Sequence, residues 1–165
     1  MKFLVCFPVF LFCFYGVQAQ LKTTPVCPAF SVDVLEGTVN ELYPFSTMGE
    51  IEKKFPCFTS TTDETNGNTC GGVFYKDKDI SFITERDYIE IGEHFKGKLS
   101  LPLIGAARNS LFKTLGNPHL KDVNWEAYQT SYGVLVIYFN KTGKINKLQM
   151  SGKKAETLKL CEASQ

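Results

Sequence analysis

The chain has 165 residues, with 18 Lys and Arg against 17 Asp and Glu and a formal net charge of +1. That length suits one ordinary domain able to bury a real core. The near-neutral balance excludes the basic excess or basic stripe of a nucleic-acid binder, since Lys53-Lys54 and Lys153-Lys154 are isolated pairs.

Lys2 heads an almost unbroken apolar run from Phe3 to Tyr15, and Val17-Gln18-Ala19 places small or apolar residues where signal peptidase cleaves. Residues 1–19 are therefore expected to be a signal peptide. The run is shorter than the roughly 20 residues of a spanning helix, and Leu11-Phe12 is too bulky to precede a lipidated Cys13. Residues 20–165 are expected to form a single secreted or periplasmic domain with no transmembrane segment. Four cysteines remain in it: Cys27, Cys57, Cys70 and Cys161. An even number in an exported chain reads as disulfides. Three pairings are open, and the expected one is Cys57–Cys70, closing the polar loop between them, with Cys27–Cys161 tying the ends.

Along the domain, Phe30, Val32 and Val34 alternate with Ser31 and Asp33, the period of a half-buried strand. Thr47-Met48-Gly49-Glu50 is a capping box, and Met48, Ile51 and Phe55 form one apolar stripe before Pro56. A first helix is expected there. The stretch 59–69 reads as a surface loop. Its Asp63-Glu64-Thr65-Asn66-Gly67-Asn68 lacks the alternating acids and the downstream glutamate of a calcium loop. Strands follow at 73–75, 79–84 and 88–91, with a turn at Glu85-Arg86-Asp87. Asp77-x-Asp79, interleaved with Lys76 and Lys78, reads as a hairpin turn, and His94 as a surface residue of a polar connector.

A second helix is expected from Ala107, presenting Leu111, Phe112 and Leu115 to one side and closed by Gly116. Thr47, Ile51 and Phe55 map onto Ala107, Leu111 and Leu115 at a constant shift, so two repeats, about 38–92 and 101–150, are expected. Strands at 124–130, 134–139 and 144–150 complete the second. Residues 134–139 are apolar enough to mark a central strand covered on both faces. Asn140-Lys141-Thr142-Gly143 is a hairpin turn with glycine where positive φ is needed. The first three of these also spell a glycosylation sequon, but turn geometry already accounts for them. The fold class that results is α+β: two tandem helix-plus-antiparallel-sheet repeats, with the helices packed on one face of a shared sheet.

The segment from Gly105 to Pro118, Trp125-x-x-Tyr128, and the strand and hairpin from Val134 to Ile145 resemble the outer-membrane-assembly lipoprotein (SmpA/OmlA) family. The bacterial β-lactamase-inhibitor proteins share that fold with two such units in tandem, and the leader end Val17-Gln18-Ala19-Gln20 is similar to exported proteins of Bacteroidetes-type bacteria. Ala106-Ala107 replaces the family's Met-Thr cap, and Asn109-Ser110 stands where a glutamate is common. These motifs are structural, so the resemblance implies a fold more than an activity.

No nucleophile, base or paired-carboxylate arrangement stands out, so no catalytic residue is expected. The cysteines lack a Cys-x-x-Cys and only His94 and His119 are present, so neither a metal nor a cofactor is expected. The expected function is non-enzymatic: a binding or inhibitor-like protein that recognises another protein through a sheet face. Trp125, Tyr128, Tyr132 and Tyr138, with Tyr75 and Tyr88, are the candidate contacts, being amphipathic aromatics of the kind enriched at binding hot spots. An accessory factor in outer-membrane or cell-envelope assembly is the alternative, and a secreted hydrolase the second alternative.

Overall fold

The computed structural model describes residues 25–63 and 70–161. The expected signal peptide and most of the oxygen-rich loop after Asp63 lie outside them. In chain order the elements are β1 (Ser31–Asp33), β2 (Thr38–Val39), α1 (Met48–Lys54), β3 (Ser60–Thr62), β4 (Gly72–Tyr75), β5 (Ile80–Ile83) and β6 (Tyr88–Ile91). Then come β7 (Lys98–Leu99), α2 (Phe112–Leu115), β8 (Leu120–Lys121), β9 (Trp125–Gln129), β10 (Val134–Phe139) and β11 (Ile145–Ser151). Eight strands form one antiparallel sheet in the order β3-β4-β5-β6-β11-β10-β9-β8, and β2-β1-β7 form a small second sheet.

This architecture corrects the expected α+β pair of helix-plus-sheet repeats. The protein is mostly β, 34% strand against 13% helix, with two short α-helices beside the large sheet among the described residues. The reason lies at the start of the second helical stretch. Thr47 caps α1 through the full capping box, with Glu50 Oε2 accepting from the Thr47 N–H at 2.8 Å. Ala107 takes the same extended backbone as Thr47 but has no side-chain acceptor to satisfy the first free N–H groups. Arg108–Ser110 winds only as a 3-10 turn, and α2 is a single turn that ends at Gly116 with φ 75°. Phe112, expected on the buried side, is 64% exposed, while Leu111 is buried. One turn of helix is too short to cover a sheet face, which the loop around Leu103 and Leu111 helps to close instead.

Strand alternation sends one set of side chains into a single main core. Val73, Tyr75, Ile80, Phe82, Ile89, Ile91, Leu148, Met150, Leu135 and Ile137 supply it from the sheet. Ile51 and Phe55 of the α1 region and Phe30, Val32 and Val34 around β1 close it from the other side. Phe30 stacks on Phe55 with ring centroids 4.3 Å apart, and the Tyr75 hydroxyl donates to the Phe55 carbonyl at 2.8 Å. The strand expected to be covered on both faces, β10, is buried along almost its whole length.

The disulfides join Cys27 to Cys57 and Cys70 to Cys161, with Cα–Cα distances of 5.5 and 6.1 Å. The expected pairs Cys57–Cys70 and Cys27–Cys161 are therefore corrected. In the β3–β4 register Ser60 lies opposite Phe74 and Thr62 opposite Gly72. Cys57 extends past the first end of that hairpin and Cys70 past the other, so neighbours in sequence are held apart by the strands between them. Cys27 instead follows the chain that stacks Phe30 on Phe55, two residues from Cys57. In the chain-entropy model these cross-links of 30 and 91 residues would stabilise by about 4 and about 5 kcal/mol.

A non-reduced proteolytic digest should therefore yield linked peptides carrying Cys27 with Cys57 and Cys70 with Cys161, and none carrying Cys57 with Cys70. Ile137→Ala, in the middle of the core row of β10, should cost roughly 2–5 kcal/mol in urea unfolding.

Candidate functional site on the outer face of the sheet

The face of the large sheet turned away from the main core can be read directly from the strand register. Residues paired side by side point the same way. One row crosses all eight strands: Ser60, Phe74, Ser81, Glu90, Gln149, Val136, Ala127 and Leu120. A shorter row beside it runs Lys147, Tyr138, Trp125. The outer face is therefore polar in its middle and apolar towards β8.

The polar part is an ordered network. The Tyr138 hydroxyl donates to Gln149 Oε1 at 2.9 Å, and Gln149 Nε2 donates to Glu90 Oε2 at 2.6 Å. Lys147 Nζ lies 3.4 Å from Glu90 Oε2 and 4.4 Å from the centroid of the Tyr138 ring. The tyrosine is thus held at its hydroxyl by hydrogen bonding and at its face by a cation. Beside it an open depression of about 720 Å³ is bounded by Asp79, Glu93, Lys141 and Asn146 as well as by Tyr138 and Lys147. The Asp79 backbone is left-handed (φ 56°), and its carboxylate accepts from the His94 N–H at 2.7 Å. The exposed His94 therefore contributes its backbone here.

The apolar part is covered by the chain's own C-terminal segment. Trp125, Ala127, Val136 and Tyr138 pack against Ala155 and Leu158, and a pocket of about 280 Å³ remains between sheet and segment. Lys153 pairs with Asp87 at 2.9 Å, His119 Nε2 lies 2.7 Å from Glu156 Oε1, and Arg86 donates to the Leu160 carbonyl at 2.8 Å. The Cys161 N–H donates to the Tyr88 hydroxyl at 3.2 Å, and Cys70–Cys161 locks the end.

The six expected contact aromatics do not share a surface. Trp125 and Tyr138 stand side by side on the outer face, both partly buried. Tyr88 lies on the same face, but it is fully buried. Tyr75 and Tyr128 point into the main core. Tyr132 sits in the turn between β9 and β10 with its ring against Gly37, whose positive φ (68°) and missing Cβ make room for it. Trp125 and Tyr128 are three residues apart in one strand, so a period of two must send them to opposite faces.

Tyr128 has a structural partner instead. Its hydroxyl donates to Glu126 Oε2 at 2.6 Å, while Arg108 Nε donates to Glu126 Oε1 at 2.8 Å. Arg108 also caps the Asp122 and Val123 carbonyls at 2.9 Å each and lies 4.6 Å over the Phe139 ring. The buried Glu126 charge is thereby paired and hydrogen-bonded.

Glu90, Lys147 and Gln149 of the network are legible only once Tyr138 is paired with Lys147 and Gln149 with Glu90. Tyr43 and Phe45 were also missed; they stack at 5.2 Å, are 45% and 63% exposed, and lie beyond the Gly152 end of the sheet. Among the described residues no three His, Cys, Asp or Glu side chains are grouped to hold a metal ion. No helix there is long and apolar enough to cross a membrane. No family model, curated protein or solved structure matches the chain.

Burial, reinforced by Glu52 at Tyr75 and by Glu126 at Tyr128, pushes these phenols above their ordinary range. Burial also raises Tyr132, with Asp33 adding to it, and pushes Tyr138 up to about 12 with help from Glu90. Each group holds its proton more tightly folded than unfolded. Their stabilisation is complete below the unfolded value, about 10, and falls as pH rises through the folded values. Stability should therefore stay level as pH approaches 10 and drop beyond it. Absorbance at 295 nm should show these four phenols ionising together with unfolding rather than before it.

Proposed function

We propose that the protein is exported through its leader and works as a non-enzymatic binding or inhibitor-like protein, recognising another protein with the outer face of its sheet. The supporting observation is Tyr138. It is an amphipathic ring fixed by Gln149 and Lys147 at the rim of an open depression that carries both acids and lysines. A side chain already held in one rotamer loses little freedom on binding, which suits it to anchor a contact. The mixed charge of Asp79, Glu93, Lys141 and Lys147 around it favours a partner of complementary, equally mixed charge, and hence a protein surface. Two disulfides and the absence of a membrane-crossing helix among the described residues are compatible with an extracellular or periplasmic setting.

The test uses the mature chain as bait against periplasm and culture medium, beside Tyr138→Ala, Lys147→Glu and, as a control away from the face, Lys113→Glu. A partner retained by the native chain and by the control, but weakened by roughly ten-fold or more in the two face variants, is expected. Urea midpoints within experimental error of one another would show that the loss is one of contact. Equal retention by all four chains, or no specific partner, overturns the proposal.

A further inference from the structure

The C-terminal segment from Lys153 to Cys161 has an unusual relation to the sheet it crosses. It adds no strand: its own backbone bonds return to Lys154, from the N–H groups of Thr157 and Leu158. It touches the rest of the chain through Ala155, Leu158 and Leu160, through Lys153 bonded to Asp87, the Arg86 carbonyl and the Ser151 hydroxyl at its very start, and beyond that through the exposed Glu156–His119 pair, the Leu160 carbonyl and the Tyr88 hydroxyl. Ala155, Leu158 and Leu160 are only partly buried. Fixing the backbone of such a segment costs more freedom than three half-covered apolar side chains return, and the exposed His119–Glu156 pair adds little. What holds the segment down is the covalent bond at its end.

That bond also differs from its counterpart. Cys27 and Cys57 pack against the main core. Cys70 and Cys161 belong to neither apolar cluster; they join the segment to the chain two residues before β4. Opening it would leave every strand pairing of the large sheet in place.

We infer that residues 153–161 form a strap whose closure is set by the Cys70–Cys161 disulfide, and that opening this bond bares the strip Trp125, Ala127, Val136 and Tyr138 and so enlarges the recognition face. This rests on the reading of the outer face as the recognition surface. The chemistry is thiol–disulfide exchange with a dithiol. One thiolate attacks a sulfur of the bridge, the other cysteine leaves as a thiolate and takes up a proton, and the second thiol of the reagent resolves the mixed disulfide. The bridge gains two electrons and two protons, and the dithiol becomes a disulfide.

Trp125 is the chain's single tryptophan and lies under the strap, so its fluorescence reports the closure directly. In the full-length mature Cys70→Ser/Cys161→Ser chain its emission should shift to the red and acrylamide quenching should rise roughly two-fold or more. Amide exchange at 155–161 should become fast while β9 and β10 stay protected. Unchanged emission, quenching and exchange would overturn the inference, because contacts alone would then keep the strap closed. Should that variant fail to fold, the native chain treated with dithiothreitol decides. The Trp125 change must accompany loss of the Cys70–Cys161 peptide in alkylation mapping and precede loss of far-ultraviolet circular dichroism. A change appearing only with global unfolding overturns the inference. None of these readouts needs a partner, so a failed strap and a failed recognition face give different results.

Discussion

The register of β10 against β11 decides which side of the sheet most of the candidate-site side chains occupy. It is set at the hairpin. Asn140 Oδ1 accepts from the Thr142 N–H at 3.0 Å, the Thr142 hydroxyl at 2.7 Å and the Lys144 N–H at 3.0 Å, and Gly143 supplies the positive φ that closes the turn. Phe139 then pairs with Ile145, but Tyr138 pairs with Lys147, so Asn146 is an extra residue on one side. This bulge keeps Ile145 and Leu148 in the core and turns Lys147 and Gln149 outward beside Tyr138. Without it, Lys147 and Leu148 would exchange faces, and a lysine would enter the core.

The bulge also shapes the depression. Asn146 lines it, and its buried Oδ1 has no hydrogen-bond partner from the protein. At the β9 side of the same hairpin, Glu126 is the last buried residue of the core row that begins at Tyr75 and passes through Ile80, Ile91, Leu148 and Ile137 before the exposed Lys121 of β8. A carboxylate at the end of such a row needs a partner, and Arg108 supplies it from the 3-10 turn that replaced the expected helix. An extended Ala107 bridges to Lys144, which brings Arg108 over Phe139 and within reach of Glu126.

The strands were legible in the sequence because their cause is local. Alternation placed β1 and β5, an unbroken apolar run placed β10, and the turns beside them placed β4, β6, β9 and β11 close to where they lie, while the capping box marked the start of α1. The second helix was misread because an apolar stripe through Leu111 and Leu115 says nothing about nucleation, and Ala107 offers no cap. The disulfide pairing was not legible, because cysteines near in sequence lie at opposite ends of the β3–β4 hairpin. The candidate site divides along the same line. Parity within β9 could have separated Trp125 from Tyr128 on sequence alone. The neighbours of Tyr138 required a register that includes a one-residue bulge, and no alternation pattern reveals that.

The tail carried the least local signal and has the largest effect on the site. Ala155, Leu158 and Leu160 lie among lysines, threonine and glutamate, too sparse for a strand or a helix. Their position is fixed chiefly where Cys161 reaches Cys70, and the face they meet is apolar because Val134, Val136 and Ala127 project there from strands whose other sides fill the main core. A strand apolar on both sides needs two covers. The main core supplies one through α1, the small sheet and the loop around Leu103, all of which have packing of their own. The other cover is a segment with little packing and one covalent fastening. The sheet is thus closed firmly on one side and conditionally on the other, and the condition acts on the side where Tyr138 already stands fixed beside an open depression.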